Sequence, residues 1–207
     1  VAEVAALLAF SAIENNDRVG LILFTDRIER FVPPRKGRGH VMRVVTEILN
    51  AHPEGEGTDL GAPLELLGSL SKRRSVAFLI SDFIDEGYEG ALKVASKRHD
   101  LIPVQVVDPR EEELPNVGLA LVEDLETGEV LEVDTGDPAV RRAFARQVHT
   151  ERAKREQLFR RLRVDHVTVR TDDDYVKPSL ATSWVTNYND VVAGTSTKYT
   201  ITQGLRE

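Results

Sequence analysis

Hydrophobic and polar positions along this chain switch between two periods, and the switches outline its elements. Residues 18–25 (RVGLILFT), 75–81 (SVAFLIS) and 101–107 (LIPVQVV) are nearly continuous apolar runs. Runs of that length predict strands covered on both faces. Between them the spacing turns helical. Val41, Val44, Val45, Ile48 and Leu49 form one stripe, which predicts a helix over residues 39–51. A second helix is predicted over 58–70, with Thr58 as its N-cap and Pro63 in its first turn. Residues 88–99 predict a third. Asp137-Pro138 opens a long one reaching residue 162. The segment 1–15 also reads as a helix. Its apolar positions, Val4, Leu7, Leu8 and Ile13, are joined by alanines on most sides, which predicts a buried helix. Shorter strands are predicted over 28–32, closed by Pro33-Pro34, and over 164–170. Residues 117–133 alternate around Thr127-Gly128 as a hairpin.

Strands that alternate with helices imply an α/β fold, a mostly parallel sheet with helices on both faces. In such sheets ligand sites lie beyond the carboxyl ends of the strands. Asp26, Asp82 and Asp108 all fall at such ends. The pairing of Gly57-Thr58-Asp59-Leu60 with Ile80-Ser81-Asp82-Phe83 carries most of the candidate chemistry. It places a hydroxyl at the start of a helix and a carboxylate at the end of the most apolar strand. A hydroxyl and a carboxylate at one sheet edge could share a hard cation, Mg²⁺, Mn²⁺ or Ca²⁺. Asp59 and Ser81 are candidates to line such a site. Asp26 and Asp108 have simpler roles open to them, Asp26 closing a hairpin and Asp108 starting the turn before Pro109.

Composition narrows the classes. The chain has 207 residues and is 41% hydrophobic, enough for one core. There is no cysteine, which excludes disulfides and thiolate metal sites and agrees with a reducing, cytoplasmic compartment. A net charge of −7 and a pI near 5.4 give no support for nucleic-acid binding. The longest apolar stretch, residues 1–13, is too short for a membrane span and contains Glu3. The first residues read as a helix interior without a cap, so the chain is expected to be a fragment. Residues 179–207 differ from the rest: they are rich in Thr, Ser, Asn and Val, and nearly uncharged, which suits either a non-native end or a strand-forming extension. Residues 198–202 (KYTIT) have strand propensity within that tail.

Five stretches then resemble a known family in order and spacing: NNDRVGLILFTDRIERFVPPRKGRGH, EGTDLGAPLELL, SVAFLISDFID, RHDLIPVQVVDPREEELPNVGLALVEDLETGEV and TDDDYVKP. They resemble the bacterial DUF 58 family, a von Willebrand factor A-like family encoded beside MoxR-type AAA+ ATPases. The resemblance covers residues 1–178, taken as one domain, and does not extend to the tail. It implies a six-stranded sheet and a metal-ion-dependent adhesion site built from three loops. Thr58 would match the second loop and Asp82 the third. The first loop, an Asp-x-Ser-x-Ser motif after the first strand, would precede Val1, so the implied metal site is incomplete in this chain. The strand that carries it would lie between residues 18–25 and 75–81. An empty slot there would leave two buried edges unpaired. It is therefore expected to be filled, by the tail, with residues 198–202 the candidate, or by a strand exchanged with another copy.

Two functions fit these residues. The first is a non-enzymatic interaction module, partner or adaptor of a MoxR-type ATPase or of a client protein. The second is a metal-assisted phosphoryl-transfer or hydrolytic enzyme using Asp26, Asp82 and Asp108. No nucleophile elbow, cysteine nucleophile or zinc-spaced histidine pair is present to favour the second. The arginines of residues 138–162 and the basic loop 35–40 read as solvated surface, with partner binding as the alternative.

Overall fold

The computed structural model describes residues 2–55, 57–70, 73–123, 130–171 and 190–196. The chain begins with helix α1 (Ala2–Glu14), strands β1 (Arg18–Phe24) and β2 (Ile28–Arg35), then helices α2 (Arg38–Leu49) and α3 (Gly61–Leu70). Strand β3 (Val76–Ser81), helix α4 (Glu89–Arg98) and strand β4 (Asp100–Val107) follow. A 3-10 turn (Pro109–Glu111) leads to the hairpin strands β5 (Leu119–Glu123) and β6 (Val130–Asp134). The long helix α5 (Pro138–Leu162) and strands β7 (Val167–Arg170) and β8 (Asp190–Ser196) complete the order.

Six strands form the main sheet, in the order β2-β1-β8-β3-β4-β7. All are parallel except β2, which returns antiparallel along β1. The fold is thus α/β and Rossmann-like. Because side chains alternate across a strand, the continuous apolar runs feed two cores. Val19, Leu21, Leu23, Val76, Phe78, Ile80, Val104 and Val106 pack under α1 and α2. Ile22, Phe24, Ala77, Leu79 and Leu101 pack under α3, α4 and the end of α5. Leu21 and Phe78 are fully buried, and burial of each contributes about 1.5–3 kcal/mol.

Several details depart from the sequence reading. Strand β2 does not stop at Pro33 but continues through both prolines to Arg35. It lies at the edge of the sheet, where a missing N–H leaves no neighbour unsatisfied. Its ladder with β1 shifts register between Val19 and Leu21. At Gly20 an added Cβ would stand 2.9 Å from the Pro34 ring, so the glycine makes room for the proline. Helix α1 is not buried all round. Ala5, Leu8, Ala9 and Ala12 face the core while Leu7 and Phe10 are exposed. The slot between β1 and β3 is occupied by the tail, through Asp190–Ser196. The candidate segment 198–202 lies outside the described residues.

Candidate functional site

Three loops meet at the carboxyl end of the sheet: the β1–β2 turn, residues 53–60 before α3, and residues 82–88 after β3. Thr25 is buried beyond the end of β1. Its N–H bonds to the Arg27 carbonyl at 2.8 Å and closes the turn. Its carbonyl accepts the Asp59 N–H at 2.8 Å, and its hydroxyl donates to Glu29 Oε1 at 2.7 Å. The same Glu29 oxygen accepts the N–H groups of Glu54 (3.2 Å) and Gly55 (2.9 Å). The Thr25 hydroxyl and these backbone donors hold the Glu29 carboxyl below the usual carboxylate range. Gly55 lies so close to the turn that a Cβ would fall 2.0 Å from Asp26 Oδ1 and 2.2 Å from Thr25 Oγ1.

The second loop is stitched to β3 as firmly as to β1. Leu60 N–H donates to Asp85 Oδ2 at 2.8 Å. Asp59 Oδ1 accepts the N–H groups of Gly61 (2.7 Å) and Ala62 (3.1 Å). Those are the unpaired donors of the first turn of α3. Asp59 therefore caps the helix and Thr58, half-buried one residue earlier, does not.

Asp82 is buried at the end of β3. Its Oδ1 accepts Ile84 N–H and the Ser81 hydroxyl, each at 3.1 Å, and Ser81 Oγ accepts Phe83 N–H at 3.1 Å. These local bonds wind the chain so tightly that Phe83 adopts φ 60°. The left-handed region costs a bulky residue roughly 1–2 kcal/mol, so neighbours must hold it. The Phe83 ring stands edge-on to Phe159, with centroids 5.4 Å apart, and 6.1 Å from the Tyr88 ring. Its carbonyl accepts Arg155 Nη1 from α5 at 3.1 Å. With the Gln105 amide oxygen turned toward α5, Arg155 also reaches it from Nη2 (2.7 Å) and Nε (3.3 Å). Burial lowers the pKa of this guanidinium, and the nearby Tyr88 and Asp82 oppose that shift. It remains a cation, as arginine does in proteins. Burial also pushes the Tyr88 hydroxyl up to about 12, so it stays protonated.

A cleft of about 420 Å³ opens between this loop, the end of β4 and α5, with Asp82, Asp85, Gln105, Glu112, Glu151 and Arg155 on its walls. A larger hollow of about 890 Å³ lies between α3 and α4. It shares Asp59 with the three loops, and glycines and alanines make up much of its wall beside Glu65, Glu86, Tyr88 and Arg98. The smaller cleft is the one that reaches Asp82.

The proposed cluster of strand-end acids does not assemble. Asp26 is exposed and paired with Arg27 at 3.0 Å. The Asp108 carbonyl accepts Glu111 N–H at 2.9 Å at the start of the 3-10 turn. Among the described residues no group of three or more His, Asp or Glu side chains is placed to hold a metal. Glu29 and Asp59 each serve backbone donors. Sequence reasoning missed Glu29, Asp85 and Arg155. Arg155 was legible in part, because it precedes the buried Leu158 and Phe159 by three and four residues and so shares their helix face.

The fold and site define an α/β domain with a stitched loop crest at the carboxyl end of its sheet. The chain belongs to the family described as protein of unknown function DUF58, which it matches over residues 1–154. It is 32% identical over 176 residues to the uncharacterized protein Rv1480 of Mycobacterium tuberculosis (strain ATCC 25618 / H37Rv), covering 83% of this chain and 55% of that protein. The uncharacterized protein MAV169 of Mycobacterium avium is also 32% identical, over 148 residues, which is 70% of this chain and 87% of that protein. The chain thus spans about half the length of the first of these relatives. No solved structure matches it. Among the described residues no helix is long and apolar enough to cross a membrane.

Proposed function

We propose that this domain is a non-enzymatic protein-interaction module of von Willebrand A-like type. Its docking end is the loop crest, and its partner is a MoxR-type AAA+ ATPase or a client of one. The observation that carries this reading is the commitment of the crest. Thr25, Glu29, Asp59, Ser81 and Asp82 use their polar atoms to fix three loops against one another. A rigid platform of this kind suits recognition, where preorganisation lowers the cost of binding. Hydrolysis needs an activated nucleophile that a substrate can reach. The two hydroxyl–carboxylate pairs of the crest, Thr25 with Glu29 and Ser81 with Asp82, have buried hydroxyls and also hold backbone N–H groups. An ATPase partner would place the domain in the cytoplasm.

Thr58 and Asp82 remain the candidate ligands for Mg²⁺, Mn²⁺ or Ca²⁺. One hydroxyl and one carboxylate are a poor set for a cation that takes six or more oxygens, so this chain should bind such an ion weakly. The test is capture of a purified MoxR-type ATPase, with and without Mg²⁺, by the parent chain and by Asp82→Asn. Binding lost in the variant supports the reading. Hydrolysis of generic phosphoesters by the parent, lost in the same variant, would overturn it.

A further inference from the structure

The β5–β6 hairpin packs on neither of the two cores. It forms a sheet of two strands, and both outer edges are unpaired among the described residues. Isolated two-stranded sheets are marginal in water, yet this one is anchored firmly at its root. Thr135 is buried there. Its hydroxyl donates to the Gly118 carbonyl at 2.6 Å and accepts Val117 N–H at 3.0 Å. Arg141 on α5 reaches across to the Thr135 and Gly136 carbonyls. Beyond that clamp the strands carry large apolar side chains into solvent. Leu119 is 66% exposed, Leu121 73% and Val130 54%. The register places these three on one face, with Glu132 and Asp134 opposite the leucines, and puts Val122 and Leu131 on the other.

Charge identifies the occupant. Residues 117–137 contain seven acids (Glu123, Asp124, Glu126, Glu129, Glu132, Asp134 and Asp137) and no Lys, Arg or His. A second copy's hairpin would repel this one, and so would an anionic membrane surface. We infer that the β5–β6 hairpin is a docking element for an extended, basic and apolar segment of a partner protein, which adds a strand to an open edge. Backbone bonds along the edge would supply affinity. Leu119 and Leu121 would take the partner's apolar side chains, and the acids would select its lysines or arginines. The inference does not depend on the loop crest or on any cation.

The probe is a synthetic peptide of alternating lysine and valine, followed by fluorescence anisotropy against the whole chain. Controls are its glutamate–valine counterpart and a version with prolines replacing alternate valines. The lysine peptide should bind at least about tenfold more tightly than either control, and raising salt from about 0.1 M to about 1 M should weaken it. Leu119→Ser with Leu121→Ser changes two exposed positions. It should leave the thermal transition unchanged and reduce binding by about tenfold or more. Glu132→Lys should weaken binding by a few-fold. Equal binding of the glutamate or proline peptides would overturn the inference, as would unchanged binding by the serine pair. So would self-association of the parent that the serine pair abolishes, or binding of the parent, but not the serine pair, to anionic lipid vesicles.

Discussion

Replacing Arg155 with methionine should loosen the loop that carries Asp82 without emptying the space around it. Methionine keeps most of the aliphatic stem, so packing beside Leu158 and Phe159 survives. What goes is the bond to the Phe83 carbonyl at 3.1 Å and the pair to Gln105 at 2.7 and 3.3 Å. Hydrogen bonds to a charged group are worth about 1.5–3 kcal/mol, and a buried acceptor left unpaired costs about 1–3 kcal/mol. These overlap rather than add, so a loss of about 3 kcal/mol is expected. For a chain of this size that lowers the melting temperature by roughly 6–12 °C. Arg155→Lys keeps the charge but not the planar fork and should recover less than half of the loss. Thermal unfolding by circular dichroism measures each variant. A cycle with Gln105→Leu should show coupling on the order of 0.5–3 kcal/mol. Stability of Arg155→Met within about 0.5 kcal/mol of the parent would refute the reasoning, since that is the range of a neutral surface change.

Gly55→Ala should be destabilising by about 1–3 kcal/mol through overpacking. Its Cβ meets Thr25, which is buried and cannot retreat; faster proteolysis within residues 53–60 should accompany the loss, and an unchanged melting temperature would count against the packing argument. His99 is buried with neither ring nitrogen bonded. Burial, then the charges of Arg98 and Arg74, hold its pKa below 6.5. The unfolded chain therefore binds the proton more readily, so stability falls as pH drops through about 6.5. The stability of His99→Leu relative to the parent should rise between about pH 7 and pH 5, and a pH-independent difference would contradict the assignment.

What the sequence revealed was what local pattern controls. The runs of β1, β3 and β4 were legible because strands buried on both faces need apolar residues at every position. Asp137-Pro138 was legible as a helix start, and Asp137 Oδ1 does accept Ala139 N–H at 2.7 Å. The misreadings arose where tertiary placement decides. Pro33 and Pro34 read as a strand end because sequence does not say that β2 is an edge. Thr58 and Asp59 are both able to cap, and the choice between them depends on Thr25 and Asp85 binding the adjacent N–H groups. Arg155 sat in a basic stripe that reads as solvated surface, and its role depends on a carbonyl seventy-two residues away in sequence. The tail's strand propensity was visible at 198–202. Propensity does not say which residues will match two neighbours at once, and 190–196 are the ones in register.

The position of β8 also explains why Asp26 and Asp82 stay apart. Its residues pair with β1 from Arg18↔Asp190 to Phe24↔Ser196, and with β3 from Val76↔Val191 to Ile80↔Thr195. Adjacent strands lie about 4.8 Å apart. The ends of β1 and β3, with one strand between them, are therefore separated by about 10 Å. A hard cation holds its oxygens at about 2.0–2.6 Å, so Asp26 and Asp82 could share one ion only by both reaching across the intervening strand. Each is engaged locally instead, Asp26 with Arg27 and Asp82 with Ser81 and Ile84 N–H. The hydrogen bonds from Asp59 to Thr25 and from Leu60 to Asp85 fix the loops that carry Asp26 and Asp82. A ligand set centred on Asp82 would therefore draw on Thr58, on water, or on the end of β4, the strand directly beside β3.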